Sequence, residues 1–526
     1  MIPAIDAEEA DVDVSTRIRR VMAVDPAVPV VDYEGQWSTW GDVEFVTGEL
    51  QRAASGLPAN AVIAVITRNR PTIAAAILGL LALRRACVTI NGMHPDAAMV
   101  DEIATLRPAI VVADEEDWKR DGVAGAVSAT GGLGLRIAAD LREVSEVVAA
   151  SPGADFGKVE EDTAISLQTS GTTGPPKRVS MTYANIDASV AGVLGHYGPG
   201  GEPELKLRPG VAVQMLPLGH TSALLALCVM AVEGRRMVLL DRFDPWKWAA
   251  AVRDHEIAVS GMPPAALRMV LDADIPKEWL GSLRAVRAGT APLPQSLADE
   301  FTARYDIPVI QAYGATEFQG VASWTLRDHK KFGPSKRGSV GRAHPGVELR
   351  VIDGATAAED SAPAVLGPDS VGILEVRSAQ AAGDRAGQWI RTSDLARIDS
   401  DGFLYIEGRV DDVINRGGFK VDAGEVAATL RAHPAVADAV VVGAPDPRLG
   451  SVPVAVVTPA SGGAPEEEEL KSFVRERLEA YKIPVAIAVA DELPRNAAMK
   501  VGVREVLQLV GRTADRDASL RSSEAY

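Results

Sequence analysis

The sequence predicts an α/β protein. A large N-terminal domain of parallel α/β sheets carries a small β unit, and a smaller C-terminal α+β domain follows. Three observations predict it. Between about residues 60 and 316, short β-rich runs alternate with helical ones. After residue 338 the chain passes into short strands separated by turn residues, and from 418 a mixed strand-and-helix texture returns.

The elements follow in order. Ala61–Ile66, Ala109–Ala113, Val211–Leu216 and Met237–Leu240 are apolar runs of strand length. Helical segments near 73–84, 184–194, 221–232, 246–254 and 293–304 lie between them. Strand and helix in alternation build parallel sheets covered by helices, with ligands at the carboxyl ends of the strands. The longest apolar run, Ile73–Leu83, stops at Arg84-Arg85. It is well short of the roughly 20 residues a bilayer span needs, so it reads as a core helix and no transmembrane segment is expected. Val347–Ile352, Gly372–Arg377 and Gly402–Ile406 predict a small antiparallel unit. Ala435–Gly443 reads as a strand, and 466–480 as a helix opened by Glu466–Glu469, where negative charge suits the helix dipole. The boundary falls at Arg409-Val-Asp-Asp412, giving domains 1–408 and 413–526, and the polar tail after Arg512 is expected to be disordered.

Composition excludes several classes. A chain of 526 residues exceeds what one core supports, and a formal charge of −17 argues against a nucleic-acid partner. The first residues, Met1–Glu9, lack the basic start and apolar run of a secretory signal. Cys87 and Cys228 sit in apolar surroundings and read as buried reduced thiols, with no disulfide framework. A cytoplasmic protein is expected. The oligomeric state is open, a homodimer included.

The chemistry begins at Gln168-Thr-Ser-Gly-Thr-Thr-Gly-Pro-Pro-Lys177, which follows the strand-like Thr163–Leu167. Backbone N–H groups at Gly171 and Gly174 can converge on anionic oxygens, and Thr169, Ser170, Thr172 and Thr173 add donors. The loop lacks the Gly-Lys-Ser/Thr of a Walker motif, and a solvated turn is the lesser reading of it alone. Further on stand Gln311-Ala-Tyr-Gly-Ala-Thr-Glu317 after the strand-like Ile307–Ile310, then Arg391-Thr-Ser-Asp394 and Asp401–Arg409. Asn415-Arg-Gly-Gly-Phe-Lys420 and Pro494–Lys500 close the series.

In order and separation this set resembles the adenylate-forming superfamily, which includes acyl- and aryl-CoA synthetases, peptide-synthetase adenylation domains and luciferases. The resemblance covers nearly the whole chain. It implies that a carboxylic acid becomes an acyl adenylate and is then passed to a thiol or amine, with ATP (or a ready acyl-AMP), Mg²⁺ and CoA as the small molecules. Thr169–Gly174 and Lys177 would embrace the β- and γ-phosphates. Tyr313 would stack on adenine beside Gly289-Thr290-Ala291-Pro292, with Gly314 next to it. Thr316 would donate to the α-phosphate, and Glu317 would ligate Mg²⁺. Asp394 would accept from the ribose hydroxyls, with Arg409 nearby. Lys500 would reach the carboxylate and α-phosphate. Asp411 occupies the hinge position about which the mobile C-terminal domain would turn, withdrawing Lys500 and bringing Arg416-Gly417-Gly418 and Lys420 to CoA. Lys420 reads equally as a surface charge.

His220, in Pro217-Leu-Gly-His220, would sit beside the carboxylate or gate the acyl pocket; a structural histidine is the other reading. Thr221–Leu227 suits a helix beside a hydrophobic pocket, and core packing explains it equally well. The stretch 211–227 holds no acidic residue to meet an amino acid's ammonium group, which disfavours a peptide-synthetase role.

The sequence departs from the family pattern at several points. Arg178 stands where a Gly follows the loop lysine, Tyr183 where a His is common, and Met499 where a Gly precedes the catalytic lysine. Ser393 and Ala423 replace a usual Gly and Pro. A left-handed backbone at Arg178 would cost roughly 1–2 kcal/mol, and its side chain would enter the phosphate site. The first expectation is a CoA ligase for a hydrophobic carboxylic acid performing both steps. The alternatives are a ligase that only thioesterifies a preformed adenylate, an amide-forming synthetase, and an inactive acyl- or nucleotide-binding protein.

Overall fold

The computed structural model describes residues 13–169, 177–198, 204–354, 363–410, 413–416, 419–460, 463–495 and 501–511, and not the side chains of Thr169, Asn415 and Lys420. The chain divides into two compact units. One comprises 1–349, 376–390 and 402–404; the other comprises 350–375, 391–401 and 405–526. The chain passes between them along the strands Val347–Ile352, Gly372–Ser378, Trp389–Ile398 and Leu404–Arg409.

The first unit is organised by a seven-stranded sheet. Its order is Val144–Val148, Leu133–Ile137, Ile110–Ala113, Ile63–Thr67, Cys87–Asn91, Thr163–Thr169 and Lys177–Thr182. The five middle strands are mutually parallel, as the alternation of strands and helices predicts. Both edges are antiparallel, because Leu133–Ile137 and Thr163–Thr169 each turn straight back on themselves. The helix Pro71–Ala82 realises the long apolar run: every one of its residues is buried. A helix apolar on all sides belongs inside a domain, and this one packs against Ile18, Leu50, Leu224 and Leu227 in the main core. No described helix is long and apolar enough to cross a membrane. Cys87 and Cys228 are free and fully buried, and burial pushes both thiols up to about 12.

A second sheet runs Val259–Met262, Ala285–Ala288, Val309–Ala315, Gln319–Ser323 and Arg342–Ala343. Its first three strands are parallel and the last two are added antiparallel. The strand Pro29–Tyr33 pairs with the distant Arg236–Leu239 in a third sheet.

In the second unit, Val436–Asp446 and Gly450–Pro459 form a long antiparallel pair, flanked by Ala486–Val489 and by the hairpin Val413–Arg416 and Phe419–Asp422. Ile414, Val426, Leu430, Ala455, Leu470 and Ile487 pack one core there, drawing on the helices Ala423–Arg431 and Glu467–Arg475. The predicted helix 466–480 is therefore shorter, ending at Arg475 with a separate turn at Ala480–Lys482. The tail after Arg512 lies outside the described residues.

Candidate active site

Three motif segments meet at the carboxyl ends of the second sheet. Ala285–Ala288 leads into Gly289–Pro292, and in register beside it Val309–Ala315 leads into Thr316 and Glu317 (Ala288 opposite Gln311). Thr290 takes φ +68°, a conformation few non-glycine residues adopt, and its Oγ1 is buried without a hydrogen-bond partner. Tyr313 is half-buried and tilts over Phe318 at 6.0 Å between centroids. Gly314 is required sterically, because a Cβ there would run into the Gln319 carbonyl. Glu317 is half-buried, and its carbonyl accepts from the Ala382 N–H at 2.9 Å. The third segment arrives from a separate helix. Thr221 Oγ1 donates to Thr316 Oγ1 at 3.2 Å, which brings the Pro217–His220 turn to the same edge.

His220 is the N-cap of the helix Thr221–Glu233, its Nδ1 accepting from the Ser222 N–H at 3.2 Å. The structural reading thus accounts for one ring nitrogen. Ala223, Leu224 and Leu227 belong to the main core, so core packing explains that part of the run.

Arg178 corrects an expectation. It lies in ordinary strand backbone opposite Gln168 and is absent from the left-handed residues. Its guanidinium pairs with Glu102 and donates to the carbonyls of Thr89 at 3.0 Å and Ser166 at 3.2 Å. The strands Cys87–Asn91 and Thr163–Thr169 pair at Cys87–Ile165 and Val88–Ser166. Arg178 therefore bridges the carbonyls of adjoining strands, with Glu102 neutralising it. Burial lowers the guanidinium's pKa from its ordinary value, and Glu102 opposes that shift. Tyr183 is a core residue of 1% exposure whose hydroxyl donates to the Arg85 carbonyl at 2.9 Å.

In the second unit, Asp394 and Arg409 come together from neighbouring strand segments. Arg409 Nε lies 3.7 Å from Asp394 Oδ1, and Arg409 Nη2 donates to Ser393 Oγ at 3.2 Å. Ser393, which stands where glycine is usual, thus helps hold Arg409. Arg416 donates through Nη1 to the carbonyls of Tyr481 at 2.8 Å and Ile483 at 3.3 Å. Beside it the exposed Phe419 stacks on Tyr481 at 4.8 Å. Lys177 is exposed. Ser170–Gly174, Asp411, Gly417, Gly418, Met499 and Lys500 lie outside the described residues, as do the side chains of Thr169 and Lys420. Among the described residues, no group of three or more His, Cys, Asp or Glu could hold a metal ion. One cluster escaped the sequence reading: Arg287 with His196, Tyr197, Ser323 and His344. Its one available signal was an arginine inside the apolar run Ala285-Val-Arg-Ala288.

The AMP-binding enzyme family model matches residues 18–383, and the model of the AMP-binding enzyme C-terminal domain matches 425–500. The chain belongs to the AMP-binding enzyme family. It is 31% identical over 469 residues to a 2-succinylbenzoate–CoA ligase of Geobacillus kaustophilus, covering 88% of this chain and 90% of the relative. It is 29% identical over 496 residues to 4-coumarate–CoA ligase 5 of Oryza sativa, covering 89% and 88%. Among solved structures, the o-succinylbenzoate CoA synthetase of Bacillus subtilis in complex with its acyl-adenylate intermediate matches with a TM-score of 0.72 at 25% identity, over 92% of this chain and 96% of that one. An amide bond synthetase from Marinactinospora thermotolerans has the same fold, with a TM-score of 0.74 at 24% identity over 94% and 99%.

Proposed function

We propose that this protein is an AMP-forming acyl-CoA ligase that activates a carboxylic acid with a hydrophobic body. The observation that carries the reading is the meeting of Gly289–Pro292, Tyr313–Glu317 and Thr221 on one sheet edge, in a chain whose curated relatives are CoA ligases.

The first half-reaction must bring a carboxylate to the α-phosphate of ATP. At roughly 4 Å and an effective dielectric of about 20, each such repulsion is about 4 kcal/mol. Donors and cations fixed where that charge builds up are therefore the protein's main contribution. In this reading Thr169–Gly174 and Lys177 hold the β- and γ-phosphates, and Thr316 donates to the α-phosphate. Thr221, bonded to Thr316 at 3.2 Å, fixes that hydroxyl's direction. Glu317 is a half-buried carboxylate, and one carboxylate completed by phosphate oxygens and water is the donor set Mg²⁺ favours. Bound there, the ion would neutralise phosphate charge. Tyr313 stacks on adenine beside Gly289, Asp394 and Arg409 hold the ribose, and Lys500 binds the carboxylate and α-phosphate. His220, committed through Nδ1 to its helix cap, would sit beside the carboxylate or gate the acyl pocket.

The second half-reaction delivers CoA. Rotation about Asp411 withdraws Lys500 and brings Arg416-Gly417-Gly418 and Lys420 to the thiol's path. Arg416, tied to Tyr481 and Ile483, stiffens the stem of that turn. Two free buried thiols accord with a cytoplasmic enzyme.

The test is acid-dependent exchange of pyrophosphate into ATP, with mass-spectrometric detection of acyl-CoA when CoA is added. Lys500→Ala should suppress the exchange. Exchange as fast in that variant as in wild type would remove Lys500 from the assignment, and no ATP consumption with any acid of a broad panel would overturn the ligase reading.

A further inference from the structure

The strand Ala285–Ala288 carries one charge in an apolar run, and that charge has no counter-ion among the described residues. Arg287 is half-buried, with its guanidinium carbon 3.9 Å from the centre of the Tyr197 ring. Its Nε is enclosed and makes no hydrogen bond. Around it runs a chain of polar contacts. Tyr197 Oη lies 2.5 Å from Ser323 Oγ, which lies 2.8 Å from His344 Nε2. His196 Nε2 lies 3.1 Å from the Ser323 carbonyl oxygen. His344 Nδ1 is a second enclosed nitrogen without a partner.

Charge accounting identifies what is missing. Burial, with Arg287 adding to it, pushes His344 down to about 3 and lowers His196 from its usual value, so both imidazoles are neutral at pH 7. Arg287 is then the cation of the cluster. The carboxylate that acts on His196, Asp328, already bonds Arg342 at 3.3 Å. A half-buried cation with an enclosed, unbonded Nε and no counter-charge among the described residues carries a cost that a ligand of opposite charge would relieve. The cluster reaches solvent at Tyr197, which is 37% exposed.

Its position connects it to the reaction. Arg287 stands two residues before Gly289, on the strand that leads into it, roughly 7 Å away at strand rise. Ser323 pairs with Ala312, directly before Tyr313. The cluster thus lies one layer below the edge where the ligase reading puts the reacting carboxylate and the nucleotide. On the ligase reading, an acid held at that edge by its reacting carboxylate would need an apolar middle of roughly 7 Å for its other end to meet Arg287.

We propose that Arg287, backed by the Tyr197 ring, receives a second carboxylate on the acid, so that the substrate class is a dicarboxylic acid with an apolar middle. The inference rests on the ligase reading and narrows it. The planar fork of arginine suits bidentate carboxylate recognition, and stacking on Tyr197 fixes its plane.

The test uses matched pairs: hexanoate against adipate, octanoate against suberate, and 3-phenylpropanoate against 3-(4-carboxyphenyl)propanoate. Acyl-CoA formation gives kcat/KM for each, and thermal melting with each acid reports binding without turnover. Wild type should favour the diacid in at least one pair by about tenfold or more, the scale of one charged hydrogen bond. Arg287→Met should bring that ratio near one and leave the KM for ATP in place, while Arg287→Lys should retain part of the preference. Circular dichroism establishes that each variant is folded. Diacid-specific stabilisation lost in Arg287→Met, with no turnover of any acid, would support this site and count against the ligase reading. Turnover of monoacids with no diacid preference in any pair would overturn the site and leave the ligase reading standing. So would a preference unchanged in Arg287→Met, or a loss confined to the KM for ATP. Neither binding nor turnover of any acid would overturn both.

Discussion

Removing the Glu102 carboxylate would strand the Arg178 guanidinium. Glu102 is 9% exposed and Arg178 23%, and the pair is reinforced by Arg178's bonds to the Thr89 and Ser166 carbonyls. His94 Nδ1 lies 3.6 Å from the other Glu102 oxygen, which has no hydrogen bond of its own. Breaking a buried pair from one side costs about 3–5 kcal/mol. The remaining exposure of Arg178 and its two carbonyl bonds reduce this to about 2–3 kcal/mol for Glu102→Gln. With a urea slope of about 3 kcal/mol/M, the midpoint should fall by about 0.7–1 M. Tryptophan fluorescence reports it, since Trp118 packs in the cluster that the helix Asp96–Leu106 covers. The double variant Glu102→Leu/Arg178→Met leaves neither charge alone and should recover most of the loss. A midpoint within about 0.2 M of wild type for Glu102→Gln, or a double variant no more stable than the single, would refute the reasoning.

Four further outcomes are expected. Tyr183→Phe removes the buried bond to the Arg85 carbonyl and should cost about 1 kcal/mol of stability in urea titration, with the ATP-dependent rate unchanged. His344 is 5% exposed with its pKa lowered to about 3, so between pH 6.5 and that value the unfolded chain binds a proton that the folded one refuses. Stability should therefore fall with decreasing pH through that window by up to about 1.4 kcal/mol per pH unit, and His344→Gln should flatten this part of the profile. Asp394→Ala should raise the AMP dissociation constant by about tenfold or more in calorimetry, and unchanged affinity would remove Asp394 from the ribose site. Arg416→Met should slow acyl-CoA formation from a preformed adenylate more than it slows pyrophosphate exchange; equal loss in both would disconnect Arg416 from the CoA step.

What could be read in the sequence was local. The run Ile73–Leu83 announced a helix buried on every side because no position in it tolerates water, and Pro71–Ala82 is that helix. The strand before Thr316 was legible because the short apolar run Ile307–Ile310 leads into a glycine-containing motif, and Val309–Ala315 is that strand; its neighbour Ala285–Ala288, in register beside it, was not read. Edge strands were not legible. Nothing in Lys177–Thr182 announces antiparallel return, since direction is set by what the strand pairs with. Arg178 was misjudged because its partner Glu102 is 76 residues away, on a helix whose docking only the fold determines. Arg287 was missed for the same reason. An arginine in an apolar strand becomes informative only when Tyr197, Ser323 and His344 are seen to gather round it without an acid.

The central claim is that one chain performs both half-reactions. The direct measurement is a paired assay followed by mass spectrometry of acyl-AMP and acyl-CoA. One arm supplies acid, ATP, Mg²⁺ and CoA; the other supplies the preformed acyl adenylate and CoA. The account predicts acyl-CoA in both arms, with Arg178 held by Glu102 and the loop lysine beside it serving ATP. Acyl-CoA from the adenylate alone, with the same acid inert in the first arm, would contradict it and mark an enzyme that has kept only thioester formation.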